Sequence, residues 1–182
     1  RPEAQLSLVK QVPFFDHDGH FLNWLRAMLM RYFQTYSFMN KVKHNLDMIG
    51  LNYYRHTKFG DTQNYLLTDM GWKVFPEGIY GALEMLRKYK RPIIIAEAGV
   101  ADYDDDIRAQ YIEVQILATH KALSAGIDVR GHMYWSLMDN YEWALGTEKR
   151  FGLVEIDYKT LERTIRPSAH YYKKIIQNNG IL

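Results

Sequence analysis

The sequence predicts an α/β fold, a parallel sheet with helices outside it. Three observations carry that expectation. Apolar strand-like runs alternate four times with helix-length segments. The stretch Arg91–Gly99, RPIIIAEAG, is β-branched and bounded by Pro92 and Gly99, the pattern of a strand buried on both faces. Polar and aromatic groups gather where three successive strands end: Asn52 and Tyr54, then Glu97, then Trp135 with Glu142 and Trp143 in the loop beyond. In parallel α/β sheets the working residues sit at such carboxyl ends.

In chain order, Ala4–Phe15 alternates and reads as one strand that runs into a loop at Pro13. Asp16–His20, DHDGH, could in principle hold a metal. Its spacing is irregular, and a polar turn built around Gly19 is the expected reading. Phe21–Lys43 lacks Pro and Gly and carries Leu22, Leu25, Leu29, Tyr32, Phe33 and Tyr36 near helical spacing. This predicts an amphipathic helix or helix pair whose apolar side belongs to the core.

Leu46–Tyr54 reads as the second strand, followed by a long polar loop, Arg55–Pro76. A helix is expected over Glu77–Tyr89, with Ile79, Leu83 and Leu86 on one face. After the third strand, Ala101–Asp106 is acidic. Calcium is one reading, but Asp104–Asp106 lead straight into the periodic helix Ile107–Ser124, and carboxylates suit a helix N-terminus. Val129–Leu137 is the fourth strand. A hairpin-like passage then spans Phe151–Asp157 and Leu161–Arg166, and a last helix starts at Pro167 and runs to about Gln177.

Composition narrows the classes. Of 182 residues, 47% are hydrophobic and 24% charged, enough apolar material for one sizeable core. A net charge of +2 gives no argument for nucleic acid or a membrane surface. There are no cysteines, so disulfides and thiolate metal sites are excluded. No run reaches the length of a membrane span, no signal peptide is visible, and a cytoplasmic protein is expected. Neither a P-loop nor a dinucleotide fingerprint occurs. The start, RPEAQLSLV, opens in mid-pattern, so the chain is expected to begin inside a longer protein.

The strand-end residues share one chemistry. Carboxylates accept hydrogen bonds from hydroxyls, and Trp faces stack on the C–H face of a sugar ring. A positioned carboxylate among such groups suits covalent attack on an anomeric carbon. A carbohydrate site is the natural reading.

The segment Tyr134–Tyr158, YWSLMDNYEWALGTEKRFGLVEIDY, closely resembles the C-terminal signature of family 1 glycoside hydrolases. DMIGLNYY (Asp47–Tyr54), IIIAEAG (Ile93–Gly99) and RPSAHYYKKII (Arg166–Ile176) resemble that family's sixth strand, nucleophile strand and last helix, in the same order. The flavour is closest to archaeal or thermophile β-glycosidases. The resemblance implies a (β/α)8 TIM barrel, of which this chain supplies roughly strands five to eight and their helices, residues 1–182 forming a single unit. It implies hydrolysis of β-glycosides with retention. Glu97 matches the nucleophile, and Asn52 and Tyr54 match the pair that orients it. Trp135 matches the platform under the sugar. Glu142 matches the group gripping distal hydroxyls, with Trp143 beside it and Phe151 closing the subsite. Members acting on phosphorylated sugars usually carry Ser in place of Glu142, so neutral glucosides and galactosides are implied. No metal or organic cofactor is required by this chemistry.

Two departures stand out. The family's TENG motif is here Ala96, Glu97, Ala98, Gly99, so Thr and Asn are both Ala. No NEP motif, which carries the family's acid/base Glu, occurs in the chain. A complete barrel takes about 250 residues, and retaining chemistry needs two carboxyls about 5 Å apart. The expected partner is therefore the N-terminal half of the barrel, as a second chain or cleaved fragment, or another copy of this chain. The alternative is a non-catalytic carbohydrate-binding or structural half-barrel.

Overall fold

The computed structural model describes residues 3–181. Among them, five α-helices and eight strands follow in the order β1 (Ser7–Gln11), β2 (Phe14–His17), α1 (Phe21–Arg31), α2 (Ser37–Val42), β3 (Met48–Tyr53), β4 (His56–Phe59), α3 (Gly78–Arg87), β5 (Ile93–Ala98), α4 (Arg108–Ser124), β6 (Val129–Tyr134), β7 (Val154–Ile156), β8 (Arg163–Ile165) and α5 (Pro167–Asn178). The main sheet has the order β1-β3-β5-β6, and every pairing in it is parallel. These are the four strands expected from the alternating pattern.

The core lies between one face of this sheet and the helices. Ile49, Leu51 and Tyr53 from β3 and Ile93, Ile95 and Ala98 from β5 meet Ile79, Leu83 and Leu86 of α3 and Ala118 and Ala122 of α4. The helical spacing of the α3 residues puts them on one face, as its periodicity requires. A smaller cluster joins Ile112, Tyr134, Leu153 and Ile175. The other face of the sheet is open. Val9 on β1 and Met133 on β6 are each 51% exposed, and β1 and β6 each have one neighbour in the sheet.

Local detail departs from expectation after Pro13 and in the loop 55–76, while the turn at Gly19 and the helical stretch after it are kept. Ala4–Phe15 is not one strand: Val12 and Pro13 interrupt it, because Pro cannot donate to a ladder. The second piece, β2, joins β4 in a separate parallel pair, so the long loop 55–76 begins with a strand. Asp16 and His17 lie in β2, and the turn that follows is closed by Asp18, which accepts from the His20 amide at 2.9 Å and from Asn23. The helix 21–43 is interrupted by a π-helical turn, Tyr32–Tyr36.

The apolar side of α1 is not core. Phe21 and Leu22 are 69% and 66% exposed, Leu25 and Leu29 are also open, and the stripe continues to Phe33 in the π-helical turn that extends α1, 65% exposed. The amphipathic pattern is real, but nothing in the described residues covers this stripe. In the acidic run the capping group is Asp102, whose Oδ2 accepts from the Ile107 and Arg108 amides at 3.1 and 3.0 Å. Asp105 instead pairs with the buried Arg108 and with Ser168 at the start of α5.

Candidate active site

The site is built at the carboxyl ends of β3, β5 and β6. Register aligns Asn52 of β3 with Glu97 of β5. Strict alternation would aim Glu97 the same way as Ile93 and Ile95, into the core. A bulge prevents this: Leu51 pairs with Ile95 and Asn52 with Glu97, leaving Ala96 as the extra residue. The phase shifts by one, Ala98 takes the core position, and Glu97 is freed to the open face. Bulges commonly re-aim side chains beside working sites.

Tyr54, just past β3, donates its hydroxyl to Glu97 Oε2 at 2.8 Å. Burial, and then the hydrogen bond to Glu97, push the Tyr54 phenol far above its ordinary value, so it remains a donor. Its ring is bracketed by Phe151, edge-on at 6.3 Å, and Trp72, tilted at 6.0 Å. Trp72 carries the Arg55 guanidinium over its ring at 5.7 Å. Asn52 Oδ1 is buried and has no hydrogen-bond partner among the described residues. An orphaned acceptor beside a carboxylate is available to a ligand hydroxyl.

Trp135 follows β6 directly, and its amide donates to Ala98 O at 3.0 Å. Gly99 makes this approach possible: a Cβ there would lie 1.8 Å from the Trp135 carbonyl oxygen. The Trp135–Ser136 peptide is cis. In the next loop, Asn140 Nδ2 donates to Glu142 Oε2 at 2.7 Å, and the Glu142 amide donates to Gly146 O at 2.6 Å.

The sequence therefore brings Asn52, Tyr54, Glu97 and Trp135 to adjoining strand ends, with Glu142 in the loop after β6. Two further residues differ sharply in burial. Phe151 is 2% exposed and packs edge-on against Tyr54, which it supports. Trp143 is 84% exposed, because no opposing wall is present among the described residues. The length of the loop 55–76 marked it as functional and Trp72 lay within it, but sequence reasoning gave Trp72 no role; nor did it give one to Asp139, whose partners lie far along the chain. Among the described residues no group of three or more His, Asp or Glu is placed to hold a metal ion. None of their helices is long and apolar enough to cross a membrane.

Comparison with known proteins bears out the resemblance. The profile of Glycosyl hydrolase family 1 matches residues 32–181. The chain is 38% identical over 162 residues to a β-galactosidase of Sulfolobus acidocaldarius, covering 77% of this chain and 33% of that protein. It is 43% identical over 124 residues to β-glucosidase A of Acetivibrio thermocellus, covering 62% of this chain and 28% of that one. Among solved structures, the hyperthermophilic β-glucosidase of Pyrococcus furiosus superposes with a TM-score of 0.91 at 31% identity, over 99% of this chain and 43% of its own. The Thermotoga maritima β-glucosidase in complex with glucoimidazole gives 0.88 at 28%, over 98% and 52%. The chain thus spans about a third of the length of these curated relatives, and its fold is part of a (β/α)8 TIM barrel. With its sequence matched from residue 32 to residue 181, the chain belongs to glycosyl hydrolase family 1.

Proposed function

We propose that this chain is one half of a retaining β-glycosidase acting on small neutral β-glucosides or β-galactosides. The observation that carries the reading is the Glu97 carboxylate, re-aimed by a bulge and held by the Tyr54 hydroxyl at 2.8 Å. A carboxylate oxygen of Glu97 attacks the anomeric carbon as the bond to the aglycone oxygen breaks. That oxygen takes a proton from a general acid on the other half of the barrel. Water, deprotonated by the same group, then displaces Glu97, and two inversions give net retention. Tyr54 fixes one Glu97 oxygen and leaves the other free to attack. Asn52 offers its unpaired amide oxygen to a sugar hydroxyl. Trp135 stacks under the ring, and Glu142, steadied by Asn140, grips distal hydroxyls. Trp143 and Phe151 flank this grip, one at the open side and one behind Tyr54.

The partner is the N-terminal half of the barrel, as a second chain or cleaved fragment. Support comes from the exposed stripe of α1 and from the open inner face at Val9 and Met133. Exposed apolar area of this extent marks an interaction surface. The same openness favours a second reading of the chain by itself: a sugar-binding face without turnover.

The test is to combine this chain with the first half of a family relative and follow a nitrophenyl β-glucoside by proton NMR. The β-anomer appearing first, and no product from Glu97→Gln, supports the proposal. The α-anomer first, or full activity in Glu97→Gln, overturns it.

A further inference from the structure

Asp139 lies in the loop after β6, and its side chain is fully buried. A buried carboxylate is costly unless every lone pair is used. Here four donors converge on it. Oδ1 accepts from the Gly152 amide at 2.9 Å. Oδ2 accepts from Arg150 Nη1 at 3.1 Å, Arg166 Nη2 at 3.3 Å and the Ile156 amide at 3.3 Å. The two guanidiniums reach onward, Arg150 to Ile156 O at 2.9 Å and Arg166 to Tyr103 O at 2.6 Å. One carboxylate thus ties the loop after β6 to the passage 150–156 and to the loop after β5.

The placement relative to the site is specific. Phe151, which braces Tyr54, stands between Arg150 and Gly152, both bound to Asp139. On the other side Asn140, the next residue, donates to Glu142. Gly152 is shaped for this contact: a Cβ there would lie 2.2 Å from the Asp139 amide nitrogen. An apolar residue at 139 would leave all four donors, two of them on guanidiniums, without their acceptor. A carboxylate with donors on both oxygens adds a single fixed geometry for the segments it joins.

We propose that Asp139 is a positioning residue: without touching substrate, it sets where Glu142 and Phe151 stand. The inference rests on the glycosidase reading for what those two residues do.

The test is Asp139→Asn, which keeps shape and removes charge, with Arg150→Lys as a second variant in case the first does not fold. Two readouts are needed. Amide exchange in this chain should quicken at least about tenfold at Gly152 and Ile156, while β3 and β5 keep their protection. In the assembled barrel, KM for a nitrophenyl β-glucoside should rise at least about tenfold with kcat changed less than about threefold. Unchanged local exchange, or a lowered melting point with normal KM, overturns the proposal. If the unsubstituted barrel turns over no glycoside, the glycosidase reading fails. The exchange pattern then decides separately whether Asp139 holds the loop.

Discussion

The Tyr54 hydroxyl and the Glu97 carboxylate stand 2.8 Å apart across neighbouring parallel strands, 43 residues apart in sequence. Register and a single-residue bulge create this contact. Hydrogen bonds to a charged group are worth about 1.5–3 kcal/mol. Tyr54→Phe should therefore lower kcat of the assembled barrel by roughly 10- to 100-fold. The phenol stays protonated because burial and the hydrogen bond to Glu97 both raise it, so Tyr54 itself should contribute no limb to the pH–rate profile in this range. Steady-state kinetics from pH 4 to 9 check both statements.

Two histidines link stability to pH. Burial lowers both His56 and His132 to about 4 from the ordinary value near 6.5. His56 is stacked on Phe75 at 3.8 Å, and neither ring nitrogen of either histidine has a partner among the described residues. His132 as a whole is half-buried, but its ring nitrogens are out of water. A folded-state value below the unfolded one means the unfolded chain binds the proton first. Stability is then full above about pH 6.5 and falls as the pH drops from there towards 4, by up to about 1.4 kcal/mol for each unit of separation. Urea midpoints of this chain should decline across that window. His132→Phe should flatten the decline.

The exposed stripe of α1 predicts behaviour that a finished domain would not show. The isolated chain should bind a hydrophobic dye, and Leu22→Gln with Phe33→Gln should reduce that binding. Because both side chains are mostly exposed, the change in stability should stay within about 0.5 kcal/mol. Supplying the first half of the barrel should abolish the dye signal, which fluorescence titration reads directly.

How much of this was legible in the sequence depends on the range of each interaction. β3, β5 and β6 and their helices were readable because apolar period and Pro or Gly boundaries are local. The site residues were readable because they follow those strands. The aim of Glu97 was not, since alternation along Ile93, Ile95 and Glu97 points it into the core; the bulge at Ala96 appears only in the pairing with β3. The split of Ala4–Phe15 was signalled by Pro13, but the pairing of β2 with β4 joins segments about 40 residues apart. The core assignment of α1 failed because periodicity marks an apolar face without saying what covers it. The partners of Asp139 at Arg150 and Arg166 are set by tertiary approach, which no local pattern encodes.

If the proposal holds, Glu97 is a nucleophile in a formed sugar site. The most direct measurement is intact mass after incubation with a 2-deoxy-2-fluoro β-glucoside bearing a dinitrophenyl leaving group, which needs little acid assistance. One covalent sugar on Glu97 is expected in the assembled barrel, and none in Glu97→Gln. No adduct in the assembled barrel, or an adduct that survives Glu97→Gln, would contradict it.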